Sequence, residues 1–153
     1  MDAIDRKILH YVQKNNLLTN AELSELVGLS ATSVQRRLAR LRADRVINGD
    51  IAIIDPAAVG RPLMMLVSVE LARERADIID RFKRSVRSSA EVQSAYYVTG
   101  ETDFVLIVSA RDMADYEAFT REFFYDNPDI KGFKTSVVMD RIKATFDLPV
   151  WPD

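Results

Sequence analysis

Between Thr19 and Leu41 the sequence TNAELSELVGLSATSVQRRLARL spells two short helices around a single glycine. Thr19 and Glu22 make a Thr-x-x-Glu capping box, in which each side chain satisfies a backbone N–H left unpaired at a helix start. Leu23, Leu26 and Val27 supply the buried stripe of that helix. Gly28 suits the left-handed position that ends it. Ser30 can cap the next helix, where Val34, Leu38 and Leu41 recur at i, i+4 and i+7. Upstream, Ile4, Ile8 and Val12 keep helical spacing, with Leu9 beside them. Helices joined by a short turn at glycine are the helix-turn-helix pattern.

After Arg45 the hydrophobic period changes. In VINGDIAII the turn signal Asn48-Gly49-Asp50 stands between β-branched runs, which predicts a β-hairpin wing closing the first domain, residues 1–54. Pro56, Gly60 and Pro62 mark a linker over residues 55–62. The remainder, residues 63–153, alternates strand and helix: PLMMLVSVEL, ADIIDRFKRSVRS, VQSAYYV, DFVLIVSA, DMADYEAFTREFFYD and FKTSVVMDRI. Ile79, Phe82 and Val86 face inward from the first of these helices, and Tyr116, Phe119 and Phe123 from the second. The order β-α-β-β-α-β is the ferredoxin-like unit. The fold class is therefore α+β: a winged helix-turn-helix followed by a ferredoxin-like domain.

In such a unit both helices cover one face of the sheet. Here both strand faces are apolar: Leu63, Met65, Val67 and Val69 alternate with Met64 and Leu66, and Val105 and Ile107 with Phe104, Leu106 and Val108. The uncovered face needs a cover, and a second copy of the domain is the economical one, so a homodimer is expected. The alternative cover is the wing or the C-terminal LPVWPD, whose Trp151 has no evident role.

Charge is divided along the chain. Residues 1–61 hold nine Lys/Arg against seven Asp/Glu, whereas residues 62–153 hold twelve against sixteen. Five arginines fall between Gly28 and Val46 with one acidic residue, Asp44. With Val34, Leu38 and Leu41 inward, Thr32, Ser33, Gln35, Arg36, Arg37 and Arg40 fan over the remaining surface of the third helix. The second helix of a helix-turn-helix lies in the DNA major groove. Arg can pair with guanine, Gln with adenine, and Ser, Thr or further Arg with phosphates. Ser30 and the helix N-terminus can also bind a phosphate. The plainer reading is a solvated basic face, but only Asp44 stands at i,i+4 spacing as a partner, for Arg40, so most of this charge is expected to go unneutralised.

Other chemistries find little support. The chain has no cysteine and one histidine, His10. Hence no thiolate nucleophile, no Ser-His-Asp set and no metal-ligand cluster is expected, and no cofactor or enzymatic activity. MDAIDRKILHYVQ lacks a signal-peptide core, and no apolar run approaches the roughly 18–20 residues of a membrane span. A soluble cytoplasmic protein without a membrane partner is the expectation.

Taken in order, MDAIDRKIL, TNAELSELVGLSATSVQRRLARL, VINGDIAIIDPAAVG, YYVTGETDFVLIV, the aromatic helix, NPDIKGFKTSVVM and the final RIK resemble the leucine-responsive regulatory protein/AsnC (feast/famine) family over roughly residues 2–149. That resemblance implies a transcriptional regulator that binds double-stranded DNA, forms dimers that often assemble into octamers, and takes a free amino acid as effector between dimers. By position the effector site would comprise Tyr97, Val98, Thr99, Gly100, Glu101, Thr102 and Asp103, with Thr135, Ser136, Val137 and Val138. Gly100 would let backbone approach a ligand, turn N–H groups would hold a carboxylate, and Asp103 an ammonium. From the residues alone an ordinary tight turn, with Asp103 bonding its own backbone, is the better explanation of Gly100 and Asp103; the resemblance reverses that preference. The family's glycine before the wing valine is here Arg45, a residue that a left-handed turn strains and that adds a charge within reach of a phosphate. Two other functions share the scaffold: a co-assembling regulatory module without its own DNA binding, and a siroheme-decarboxylase-like enzyme. The second would need histidines around a tetrapyrrole, and His10 is the only one.

Overall fold

The structure, a computed structural model, describes residues 1–150, so the expectation raised by Trp151 lies outside the described residues. The chain forms two compact units: residues 1–52 with 142–150, and residues 53–141.

The first unit holds α1 (Ala3–Val12), α2 (Asn20–Val27) and α3 (Ala31–Ala43). Each begins on a side-chain cap. Asp2 caps α1 and forms a reciprocal box with Asp5. Thr19 and Glu22 do the same for α2, and Ser30 accepts from the Ser33 N–H at the start of α3. Each such cap stabilises its helix by about 1 kcal/mol. Gly28 ends α2 at φ 72°, in the region a side chain rarely adopts. Ile8, Leu23, Val34, Leu38 and Leu41 meet in the core with Val12 and Val27. Leu26 does not join them. In an eight-residue helix Leu23 and Val27 fill the core at i,i+4, and Leu26, about 100° around the helix from Val27, stays exposed.

The β-hairpin wing expected over residues 46–54 does not form; none of this segment is strand. The N–H groups of Val46 and Ile47 turn back to the Leu41 carbonyl and close the end of α3 instead of joining a ladder. Arg42 pairs with Asp50 at 3.2 Å, holding the segment to the helix it leaves. An isolated two-stranded hairpin is marginal in water, so these local bonds prevail. Arg45 sits at φ 54°, left-handed as the turn requires, and is the one non-glycine residue with positive φ among the described residues. Residues 142–150 lie with this unit, and the Gln13 side chain both donates to and accepts from the Leu148 backbone at 2.9 Å.

The second unit contains β1 (Leu63–Leu71), α4 (Ala76–Ser88), β2 (Val92–Tyr97), β3 (Phe104–Ala110), α5 (Met113–Thr120) and β4 (Ile130–Val137). The antiparallel sheet runs β2-β3-β1-β4, the ferredoxin-like order. Met65, Val67 and Val69 lie opposite Val108, Leu106 and Phe104, and this face packs on Ile78 and Phe82 of α4 and Tyr116 of α5. The helix expected through residue 126 is not uniform. Beyond α5, Arg121–Tyr125 is a π-helical turn. Its wider winding brings Phe124, rather than Phe123 alone, into the core: Phe124 stacks on Phe133 at 4.4 Å and Phe123 on Phe119 at 5.0 Å. On the opposite sheet face Leu66 and Tyr96 are 43% and 54% exposed, beside half-buried Met64, Val105 and Ile107.

Candidate nucleic-acid interface and effector turn

In α3 the buried stripe of Val34, Leu38 and Leu41 leaves Thr32, Gln35, Arg36 and Arg40 exposed and Ser33 half-buried. Ser30, at the helix N-terminus, is exposed and donates its hydroxyl to Ser33 Oγ at 3.0 Å. The helix thus presents hydroxyls at its N-terminal end and guanidinium groups beyond. A cleft of about 360 Å³ is lined by Arg36, Arg37 and Arg40.

The three arginines are not equivalent, and the expectation that their charge goes unneutralised is corrected by α1. Arg37 Nη1 donates to Asp2 Oδ2 at 2.7 Å and to Asp5 Oδ1 at 2.8 Å, which leaves its side chain 21% exposed. Arg40 Nη2 donates to Asp5 Oδ2 at 2.6 Å while remaining 51% exposed. Arg36 makes no ion pair or hydrogen bond among the described residues and is exposed. The acidic partners come from a helix 32 to 35 residues away, beyond any i,i+4 rule. The signal that could have found them is Asp2-x-x-Asp5 at the head of α1, a capping box that gathers two carboxylates. Burial pushes the Asp5 carboxyl up, but the Asp2 N–H and the two guanidinium groups outweigh it, so its pKa lies below the usual range. Asp2 falls to about 2, held first by the Asp5 N–H and then by Arg37.

In the second unit the turn after β2 is built as a tight structural corner. Gly100 has φ 120°, which excludes other residues by torsion rather than by crowding. The Val98 N–H donates to the Asp103 carbonyl and the Asp103 N–H to the Val69 carbonyl, both at 2.9 Å. Leu71 N–H donates to Asp103 Oδ2 at 2.6 Å, and Thr102 Oγ1 donates to the Val69 carbonyl at 2.7 Å. One Asp103 oxygen is therefore engaged in fixing the corner to β1. Thr99, Gly100 and Glu101 are exposed; Val98, Thr102 and Asp103 are half-buried. Tyr97, also exposed, packs on Phe104 at 5.0 Å with Lys83 over its ring.

The other carried-over residues lie across the sheet. Thr135 pairs with Val67 and accepts or donates a 2.5 Å bond with Tyr116 Oη; Ser136 pairs with Leu66, Val137 with Met65, and Val138 N–H donates to the Met64 carbonyl. Burial holds the Tyr116 phenol above its usual pKa, so it stays neutral in this bond. β1 and β3 separate β4 from β2, roughly 14 Å at about 4.8 Å per strand. The end of the turn lies nearer: Thr102 and Asp103 bond to β1 at Val69 and Leu71, while Thr135, Ser136 and Val137 pair with β1 at Val67, Leu66 and Met65, so β1 alone stands between these residues.

Residues 1–42 match the AsnC-type helix-turn-helix domain, and residues 64–148 match the Lrp/AsnC ligand binding domain. The chain belongs to the Lrp/AsnC family. An HTH-type transcriptional regulator from Sinorhizobium fredii is 61% identical over 150 residues, 98% of this Lrp/AsnC chain and 89% of that protein. The leucine-responsive regulatory protein of Haemophilus influenzae is 34% identical over 145 residues, covering 95% and 87%. Among solved structures, a Neisseria meningitidis transcriptional regulator in complex with L-Met superimposes with TM-score 0.93 at 34% identity, covering 98% and 97%. An AsnC family regulator from Agrobacterium tumefaciens gives 0.92 at 33%, with the same coverage. The family supplies transcriptional regulation, and no helix among the described residues is long and apolar enough to cross a membrane.

Proposed function

We propose that this chain regulates transcription by seating α3 in the major groove of double-stranded DNA. Gln35, Arg36 and Arg40 read base edges or phosphates from its exposed face, and Ser30, Thr32 and Ser33 hold a phosphate at its N-terminus. Arg45 adds a phosphate contact just past the helix. Arg37, paired with two carboxylates, supports this face from within. The observation that carries the reading is that exposed polar and basic face on a helix whose other side is core.

The protein works as a homodimer joined through the open sheet face, on which Leu66 and Tyr96 are exposed, and as higher assemblies up to an octamer. A free amino acid is its effector, bound between chains: the turn Tyr97–Asp103 comes from one chain and Thr135–Val138 from another. The L-Met complex of the N. meningitidis relative supports an amino-acid effector. Ligand binding then shifts assembly or the spacing of the α3 helices. The chain is a cytoplasmic regulator rather than an enzyme.

A mobility-shift titration on the DNA upstream of the protein's own coding region tests the DNA reading. The shift should weaken steeply with salt and be lost in Arg36→Ala/Arg40→Ala. A shift unchanged in the double variant overturns it.

A further inference from the structure

The Asp2–Asp5–Arg37–Arg40 cluster is costly to build. Asp5 is 1% exposed, and a carboxylate so buried requires cationic partners to offset its lost hydration. Replacing a buried ion pair by apolar side chains is often neutral or stabilising, so stability alone is a poor reason for one inside a small core. The cluster does, however, treat the arginines of α3 differently. Arg37 and Arg40, at i and i+3, share the side of the helix toward α1. Arg37 spends one nitrogen on two carboxylates and is withdrawn from solvent. Arg40 gives only Nη2 to Asp5 and stays half-exposed, so the rest of its guanidinium remains for an outside partner while its plane is fixed from behind. Arg36 is not tethered among the described residues.

We propose that Asp5 is a positioning residue for DNA recognition: it sorts the arginines of α3 into an internal strut (Arg37), a pre-aimed reading group (Arg40) and a free phosphate anchor (Arg36). The proposal rests on the DNA-binding reading above. A tethered guanidinium can meet the paired acceptors of guanine in one orientation only, and little rotamer freedom is left to lose on binding. An untethered one serves any phosphate. The two carboxylates also balance the charges of Arg37 and Arg40. Non-specific attraction is thereby kept to Arg36 and its neighbours, which raises the ratio of specific to non-specific affinity.

The test uses the full chain and two probes: a duplex selected by the wild-type protein from a randomised pool, and poly(dI-dC). Asp5→Asn keeps the side-chain shape and an acceptor for one guanidinium. It should lower affinity for the selected duplex by about tenfold, the loss of one well-aimed base contact, while affinity for poly(dI-dC) holds or rises. In that background Arg40→Ala should cost little more, whereas in the wild type it costs about tenfold. Equal losses on both probes, or additive effects of the two substitutions, overturn the proposal. Should Asp5→Asn fail to fold, Arg40→Lys keeps the charge and removes the planar fork. It should lose discrimination with poly(dI-dC) affinity intact, and unchanged discrimination overturns the proposal. A wild-type protein that selects no duplex over poly(dI-dC) overturns the DNA-binding reading and this proposal with it.

Discussion

The two units differ in how much of their working surface one chain completes. In the first, α1, α2 and α3 place Gln35, Arg36 and Arg40 on one face and orient Arg40 from within the same unit. In the second, the turn 97–103 and residues 135–138 flank β1 from its two sides, and no hydrogen bond joins them among the described residues. A surface that reads a rigid duplex can be finished locally. The proposed effector site, shared between chains, would bind its ligand only in the assembled state.

Core deletions should separate the stabilities of the two units most sharply. Phe124→Ala removes a stacked ring from the π turn and should cost the second unit about 3–5 kcal/mol. Hydrogen exchange resolved by unit should show protection lost around the sheet. Equal loss in α1–α3 would mean the units do not unfold separately. Next in size is the effector. A saturating amino acid, at about 100 times its dissociation constant, should stabilise the second unit by about 2.7 kcal/mol in a thermal-shift screen of the twenty amino acids. The shift should vanish in Asp103→Ala. Absence of any stabilising amino acid would remove support for the divided site.

Smaller effects sharpen the account of the first unit. Arg45→Gly relieves a left-handed arginine and should stabilise that unit by about 1 kcal/mol in urea titration, while weakening DNA binding through the lost charge. No gain in stability would show that the turn carries no strain. The pH response is smaller still. Asp2 and Asp5 have native pKa values below the roughly 3.9 of an unfolded aspartate, so their contribution is full above about pH 4. It is lost as the pH falls through the native values, about 2 for Asp2. Thermal midpoints taken from pH 5 to pH 2 should therefore fall less steeply in Asp2→Asn, which lacks one of the titrating groups.

What the sequence disclosed follows the range of the interactions. The Thr19–Glu22 box, Gly28 and the Ser30 cap rest on residues three or fewer apart, and each stands where its spacing placed it. The left-handed Arg45 was legible only against the glycine that the family carries there. The strand order followed from period-two patterning and short connections. The wing was not legible, because Asn48-Gly49-Asp50 favours a hairpin only when its strands find partners, and the Leu41 carbonyl and Asp50 offered nearer bonds. The π turn hides in REFFY, where adjacent phenylalanines satisfy either winding. Above all, the neutralisation of Arg37 depends on Asp2 and Asp5, which only tertiary packing brings to α3. A count of charges along α3 overstates what that helix offers to DNA.

Binding of α3 to DNA through Arg36 and Arg40 is best tested by fluorescence anisotropy on the selected duplex across a salt series. Wild-type affinity should fall linearly in log–log form, and Arg36→Ala should reduce that slope by about 1 with Tm unchanged. A slope identical in wild type and Arg36→Ala/Arg40→Ala, at equal affinity, would contradict the account.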